Sequence, residues 1–192
     1  MIAWAGLASA QSKEFLAHVT TKAKDTPGKV GLVAILEQEA NIAAQHAGYA
    51  IADKKSASVK SHIPHVQNAI DPSIVKSGPG KGFGVLRAAR EIMAEMTNAA
   101  KASDASEDLR MHSVHIITCA KNIAAWANEI EGKSAKLLLS FSDKEVLGGG
   151  QEVADLAKWI VNGRDADGDG KITWKDGEGG LAQMKQHLGF IK

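Results

Sequence analysis

The chain has 192 residues, a formal net charge of +1 and a hydrophobic content of 44%, enough apolar material for one packed domain or a main domain with a small appendage. Scattered lysine and arginine at near-zero net charge argue against nucleic acid or an anionic membrane surface as partner. Aromatic residues make up only 5% of the chain while alanine is abundant, which favours closely packed helices over sheet and predicts an all-α fold.

The single cysteine, Cys119, excludes an internal disulfide and a Cys-x-x-Cys motif. It falls in an apolar helical run and reads as a small buried hydrophobe. No segment approaches the length of a membrane span. Residues 1–10 are uncharged and mostly apolar, and Ala8-Ser9-Ala10 ahead of Gln11 has the small-x-small pattern of a signal cleavage site, although the basic front of a signal peptide is missing. The expectation is a signal-peptide remnant on a periplasmic or secreted protein; with an ordinary apolar tail instead, the protein is cytoplasmic.

In chain order, a first helix is predicted over about 12–24, with Phe15, Leu16 and Val19 on one face, and Thr26-Pro27-Gly28 breaks it. A long helix follows over about 30–52, where Leu32, Ile35, Leu36, Ile42 and Ala43 recur at helical spacing. A turn at 53–56 leads to a third helix ending at Ile70, and 71–82 is a loop rich in Pro, Ser and Gly. Two more helices are predicted over about 83–102 and 106–132, with Ser103 and Ser106 as candidate N-caps. The stretch 134–147 leads to Gly148-Gly149-Gly150, read as a hinge between a bundle over 11–147 and a C-terminal module over 151–192. Within that module, Val153, Leu156, Ile160 and Val161 mark one helix and a last helix starts late, near Leu181, because Gly177-Glu178-Gly179-Gly180 resists helix formation.

An offset of fifty residues superposes Leu36 on Leu86, Ile42 on Ile92, His62 on His112 and His65 on His115. Pro-Gly-Lys also occurs twice, at Pro27-Gly28-Lys29 and Pro79-Gly80-Lys81. The pattern predicts two related helical hairpins, about 27–75 and 79–127, packed as an antiparallel four-helix-type bundle.

The segment Asp165-Ala166-Asp167-Gly168-Asp169-Gly170-Lys171-Ile172-Thr173-Trp174-Lys175-Asp176 has carboxylates at its first, third and fifth positions and glycine at its sixth. A hard cation takes six to eight oxygens, and the glycine allows the sharp turn around it. These twelve residues resemble the loop of the EF-hand calcium-binding family, and the resemblance extends over about 152–190. It implies Ca²⁺ ligation by Asp165, Asp167, Asp169, the Lys171 carbonyl, Thr173 and Asp176, with Ile172 turned inward. Asp176 stands where the family has glutamate. Its shorter side chain weakens the expected Ca²⁺ affinity and narrows the margin over Mg²⁺, and Glu178 is two places out of register. No second such loop occurs, so pairing of single loops in a homodimer is one expectation.

Five of the seven histidines lie in the repeated region. His62 and His65 share a helical face, as do His112 and His115. A hairpin turn near residue 54 sets His46 opposite His62, and a turn near Asp104 sets Met96 opposite His112. The result is a three-histidine corner (His46, His62, His65) and a Met/His/His corner (Met96, His112, His115). Imidazole suits Zn, Cu, Ni or Fe, whereas a thioether selects copper(I) or haem iron. Pro64 is an obstacle, because it fits a helix only near its start, and a helix beginning near Ser61 would free His46 from facing His62. The bland alternative is that these are surface or hydrogen-bonded residues. His18 and His187 receive no role. The chain also lacks Glu-x-x-His, His-Glu-x-x-His, Gly-x-Ser-x-Gly and P-loop patterns, and Gly80-Lys81-Gly82-Phe83-Gly84 reads as a loop leading into a helix.

The leading expectation is therefore a non-enzymatic calcium-binding protein in which one EF-hand of modest affinity staples the C-terminal helices onto a bundle. A second reading is a transition-metal or haem bundle for redox or metal storage, using the paired His-x-x-His; in general style the bundle resembles small histidine-containing metal-binding helical proteins of bacteria. A third is a calcium sensor that opens to bind a partner protein.

Overall fold

The structure, a computed structural model, describes residues 11–192. The proposed signal remnant at 1–10 lies outside the described residues. Among the described residues there are seven α-helices: α1 (Gln11–Thr20), α2 (Leu32–Ala52), α3 (Ser56–Ile70), α4 (Val85–Lys101), α5 (Glu107–Leu139), α6 (Asp143–Asn162) and α7 (Leu181–Leu188), with a 3₁₀ turn at Pro27–Lys29. There are no strands among the described residues, so the chain is an all-α bundle. No described helix is long and apolar enough to cross a membrane.

Short connections fold α2 onto α3 and α4 onto α5, and these helix pairs pack together most extensively. Apolar residues at helical spacing give each helix a buried face: Leu32, Ile35, Leu36, Ala40, Ala43, Ala47 and Ala50 on α2, and Val85, Leu86, Ala89, Ile92, Met96 and Ala99 on α4. The alanines let the helices approach closely, and small side chains fill the interior with little loss of rotamer freedom. α1 packs on α4 and α2. Ser12 is fastened to Asp104 through its backbone N–H (3.1 Å) and hydroxyl (2.9 Å).

The glycine run does not act as a hinge. Gly148, Gly149 and Gly150 are inside α6, which runs unbroken from a Ser142 cap to Gly163. α6 packs against α5, α2 and α3, and Val153, Leu156, Ala157 and Ile160 join the same core as the other helices. A β-carbon at Gly150 would sit 2.9 Å from Val59 Cγ1, and one at Gly149 would sit 3.3 Å from Leu137 Cβ. These glycines are where neighbouring helices come close, and the packing outweighs their poor helix propensity. The division between a bundle and a separate module at 151–192 is corrected accordingly.

Three other expectations change. The break near Gly132 is absent, and α5 continues for 33 residues because Ile130, Ser134 and Leu137 keep its buried face intact. Ser106, not Ser103, caps it, accepting from the Leu109 N–H at 3.1 Å. α3 begins at Ser56, so Pro64 is interior to the helix. Burial of Val59, Ile63, Val66 and Ile70 on both sides of the proline holds the helix together across the missing hydrogen bond.

Candidate metal centres

The hairpin α2–α3 brings His46 of α2 against His62 and His65 of α3. His46 Nδ1 lies 3.2 Å from His62 Nδ1 and 3.2 Å from His65 Nδ1. One ring nitrogen from each of the three falls within 4.8 Å of the other two. Because α3 starts at Ser56, both histidines of the His62-x-x-His65 pair sit on a formed turn of helix facing α2. Tyr49, one turn after His46, sets its ring edge-on to His46 at 5.5 Å.

A second cluster has the same plan. His112 and His115 lie on one face of α5, and His187 of α7 places its Nδ1 3.0 Å from His112 Nδ1 and 3.2 Å from His115 Nδ1. Met96 is not the third member. It is fully buried in the core, and the position beside the His-x-x-His pair belongs to His187. The Met/His/His corner is thus corrected to a three-histidine corner. Trp174 stacks on His115 with ring centroids 3.9 Å apart and 24° between planes, and Phe190 packs beside His112 and His187.

In both clusters a lone histidine forms the vertex, within hydrogen-bond distance of two others. A neutral imidazole has one proton for its two nitrogens, so a vertex Nδ1 cannot complete two good hydrogen bonds at once. A cation at the centre would instead receive all three lone pairs. Tetrahedral zinc with Zn–N bonds of 2.0–2.1 Å separates its ligand nitrogens by about 3.3 Å, close to the 3.0–3.2 Å between each vertex nitrogen and its two partners. Three of the rings are also pushed toward the neutral form. Burial lowers the pKa of His46, with His65 and His62 adding to the effect, and it lowers that of His115 with help from His112. His187 falls to about 4, through burial first and then its two histidine neighbours. Neutral imidazole is the ligating form.

The acidic loop lies between α6 and α7. Asp165 accepts from the Gly168 N–H (2.7 Å) and Gly170 N–H (2.9 Å), Asp167 from Asp169 N–H (3.2 Å), and Asp169 from Lys171 N–H (2.8 Å). One oxygen from each of Asp165, Asp167 and Asp169 lies within 4.8 Å of the others. Gly168 and Gly170 take positive φ, as the tight turn demands.

The second half of the loop departs from expectation. Asp176 is exposed and outside the carboxylate group. Glu178 is buried, and its Oε2 accepts from both the N–H (3.0 Å) and hydroxyl (2.6 Å) of Thr173. Ile172 is 40% exposed and not a buried clasp. The cause is Asn122 of α5: its amide donates to the carbonyls of Lys175 (2.9 Å) and Gly179 (3.0 Å), and its oxygen accepts from Gly177 N–H (2.9 Å). This clamp draws 175–179 onto α5 and turns Asp176 outward. The close approach needs glycine, since a β-carbon at Gly179 would lie 2.6 Å from Cys119 Sγ.

His187 is the residue that sequence reasoning missed. Its cue was indirect: it neighbours Met184 and Leu188 on the predicted last helix, but nothing local relates that helix to α5. No protein-family model, curated protein or solved structure matches the chain.

Proposed function

We propose that the protein is a non-enzymatic metal-binding bundle that holds a borderline divalent transition metal, of the zinc, nickel or copper class, in each of two three-histidine sites. The sites are His46/His62/His65 and His112/His115/His187. The observation that carries this reading is the convergence of three Nδ1 atoms, twice, on the same vertex-and-pair plan. Three neutral nitrogen donors favour these ions over calcium or magnesium. Nitrogens 3.0–3.2 Å apart leave no room for a porphyrin between them, so haem is disfavoured in this arrangement.

The loop 165–176 serves as a third, oxygen-rich site for calcium, supported by its three converging aspartates and by the EF-hand pattern of the sequence. With Asp176 turned away, its affinity is modest, and calcium acts mainly by adding stability to the folded C-terminal segment. The sensor reading, with opening toward a partner protein, has less support because α6 and α7 are packed into the core.

Elemental analysis and zinc titration of metal-stripped protein test the reading. It expects two zinc ions per chain, falling to one in His62→Ala/His65→Ala and to one in His112→Ala/His115→Ala. Calcium should raise the melting temperature of wild type and not of Asp165→Ala. Zinc uptake that is unchanged in both double variants would overturn the histidine assignment.

A further inference from the structure

The two histidine sites differ in what holds them together. His46, His62 and His65 belong to one hairpin whose connection is only three residues, 53–55. The second site is built across a seam. His112 and His115 are on α5, whereas His187 is on α7, the helix that leaves the acidic loop.

Several contacts tie the loop to this site. Trp174, inside the twelve-residue loop, forms the stacked wall over His115. Cys119 and Asn122, one and two turns after His115 on α5, face Trp174, Lys175, Gly177 and Gly179. The Glu178 carboxylate joins Thr173 to the segment just before α7, and the Glu178 carbonyl accepts from the Arg164 N–H at 2.9 Å. The path from the aspartates to His187 therefore runs through a short, hydrogen-bonded stretch with no long flexible linker.

We infer that calcium in the loop 165–176 and a transition metal at His112/His115/His187 bind with positive coupling, while the His46/His62/His65 site is indifferent to calcium. This rests on the metal-binding reading above. Each ion favours the same state, in which 163–192 is docked on α5: calcium orders the loop that carries Trp174, and the transition metal joins α7 to α5. When two ligands favour one state over another, each tightens the other by the same factor. The first site has all its ligands within α2 and α3 and so serves as an internal control.

The test uses full-length, metal-stripped protein in two forms. His62→Ala/His65→Ala keeps only the second site, and His112→Ala/His115→Ala keeps only the first. Zinc affinity is measured by competition with a chromophoric chelator, without calcium and with calcium in excess. In the form keeping the second site, calcium should tighten zinc by about tenfold, and saturating zinc should tighten calcium by the same factor. The form keeping the first site should show no change, and adding Asp165→Ala should abolish the calcium effect.

Zinc bound at the second site equally well with and without calcium, in protein that binds calcium at the loop, would overturn the coupling and leave the metal-binding reading intact. Failure of the loop to bind calcium would overturn the third, oxygen-rich site and the coupling with it, and leave the histidine assignment intact. If the form keeping the second site takes up no zinc while retaining its helical circular dichroism, the metal assignment at that site fails, and the coupling with it. A calcium effect that survives Asp165→Ala would also overturn it.

Discussion

Glu39 shows how much one buried side chain organises. It is fully buried on α2, and its two carboxylate oxygens accept from the backbone N–H groups of Lys81 (3.0 Å), Phe83 (2.9 Å) and Gly84 (3.0 Å). Those groups lead into α4 and have no helical partners of their own. Asn68 on α3 holds the start of the same loop, donating to Val75 O and accepting from Gly80 N–H. The Gly80–Gly84 stretch is thus a helix lead-in fixed by a protein carboxylate. Glu39→Ala should lower unfolding free energy by on the order of 3 kcal/mol, since it strands buried donors; a urea melt with a change of only a few tenths would refute the role. Cys119, by contrast, is a buried free thiol that burial pushes up to about 12, away from the reactive thiolate form.

Among the helices, α6 carries the clearest lesson. Its three consecutive glycines occupy different environments on one helix. A β-carbon at Gly148 meets open space, whereas one at Gly150 meets both Val59 methyls at 2.9 and 3.0 Å. Gly148→Ala should therefore stabilise the protein by about 0.5–1 kcal/mol through helix propensity. Gly150→Ala gains the same propensity but must push α6 away from α3, and should destabilise by about 1 kcal/mol. Thermal melts of the two variants moving in the same direction would contradict this packing of α6. Pro64 illustrates the same point within α3, because tertiary burial sustains a helix that local rules would end.

At the scale of the whole molecule, the histidine corners make stability depend on pH when metal is absent. In the unfolded chain an imidazole titrates near its ordinary value of about 6.5, whereas folded His187 is lowered to about 4, and His46 and His115 are lowered too. Between these limits the unfolded state binds more protons, so stability rises with pH. The contribution is complete above about pH 6.5 and is lost as pH falls toward 4. With chelator present, the melting temperature should drop across this window, and His187→Gln should flatten the drop. Excess zinc should shift the fall to lower pH, because metal and proton compete for the same nitrogens. An equal slope in wild type and His187→Gln would remove His187 as a source.

Much of this was legible in the linear chain. Apolar spacing marks α2 and α4 to within two residues, and the late start of α7 at Leu181 follows from the glycines before it. The meeting of His46 with His62 follows from their equal distances to a tight turn, a local relation that sequence carries. The meeting of His187 with His112 and His115, across 75 and 72 residues, does not follow from any local rule. It depends on how α7 docks, which the Asn122 clamp and the stack of Trp174 on His115 decide. Likewise, Asp176 was assigned by its number in the loop, but contact with α5 decides where the chain turns. Sequence by itself determined α2, α4, the start of α7 and the pairing within a hairpin, because these arise from short-range periodicity and short connections. Only the tertiary structure decided the second histidine corner, the continuity of α6 and the fate of Asp176, since each is set by close packing between segments distant in the chain.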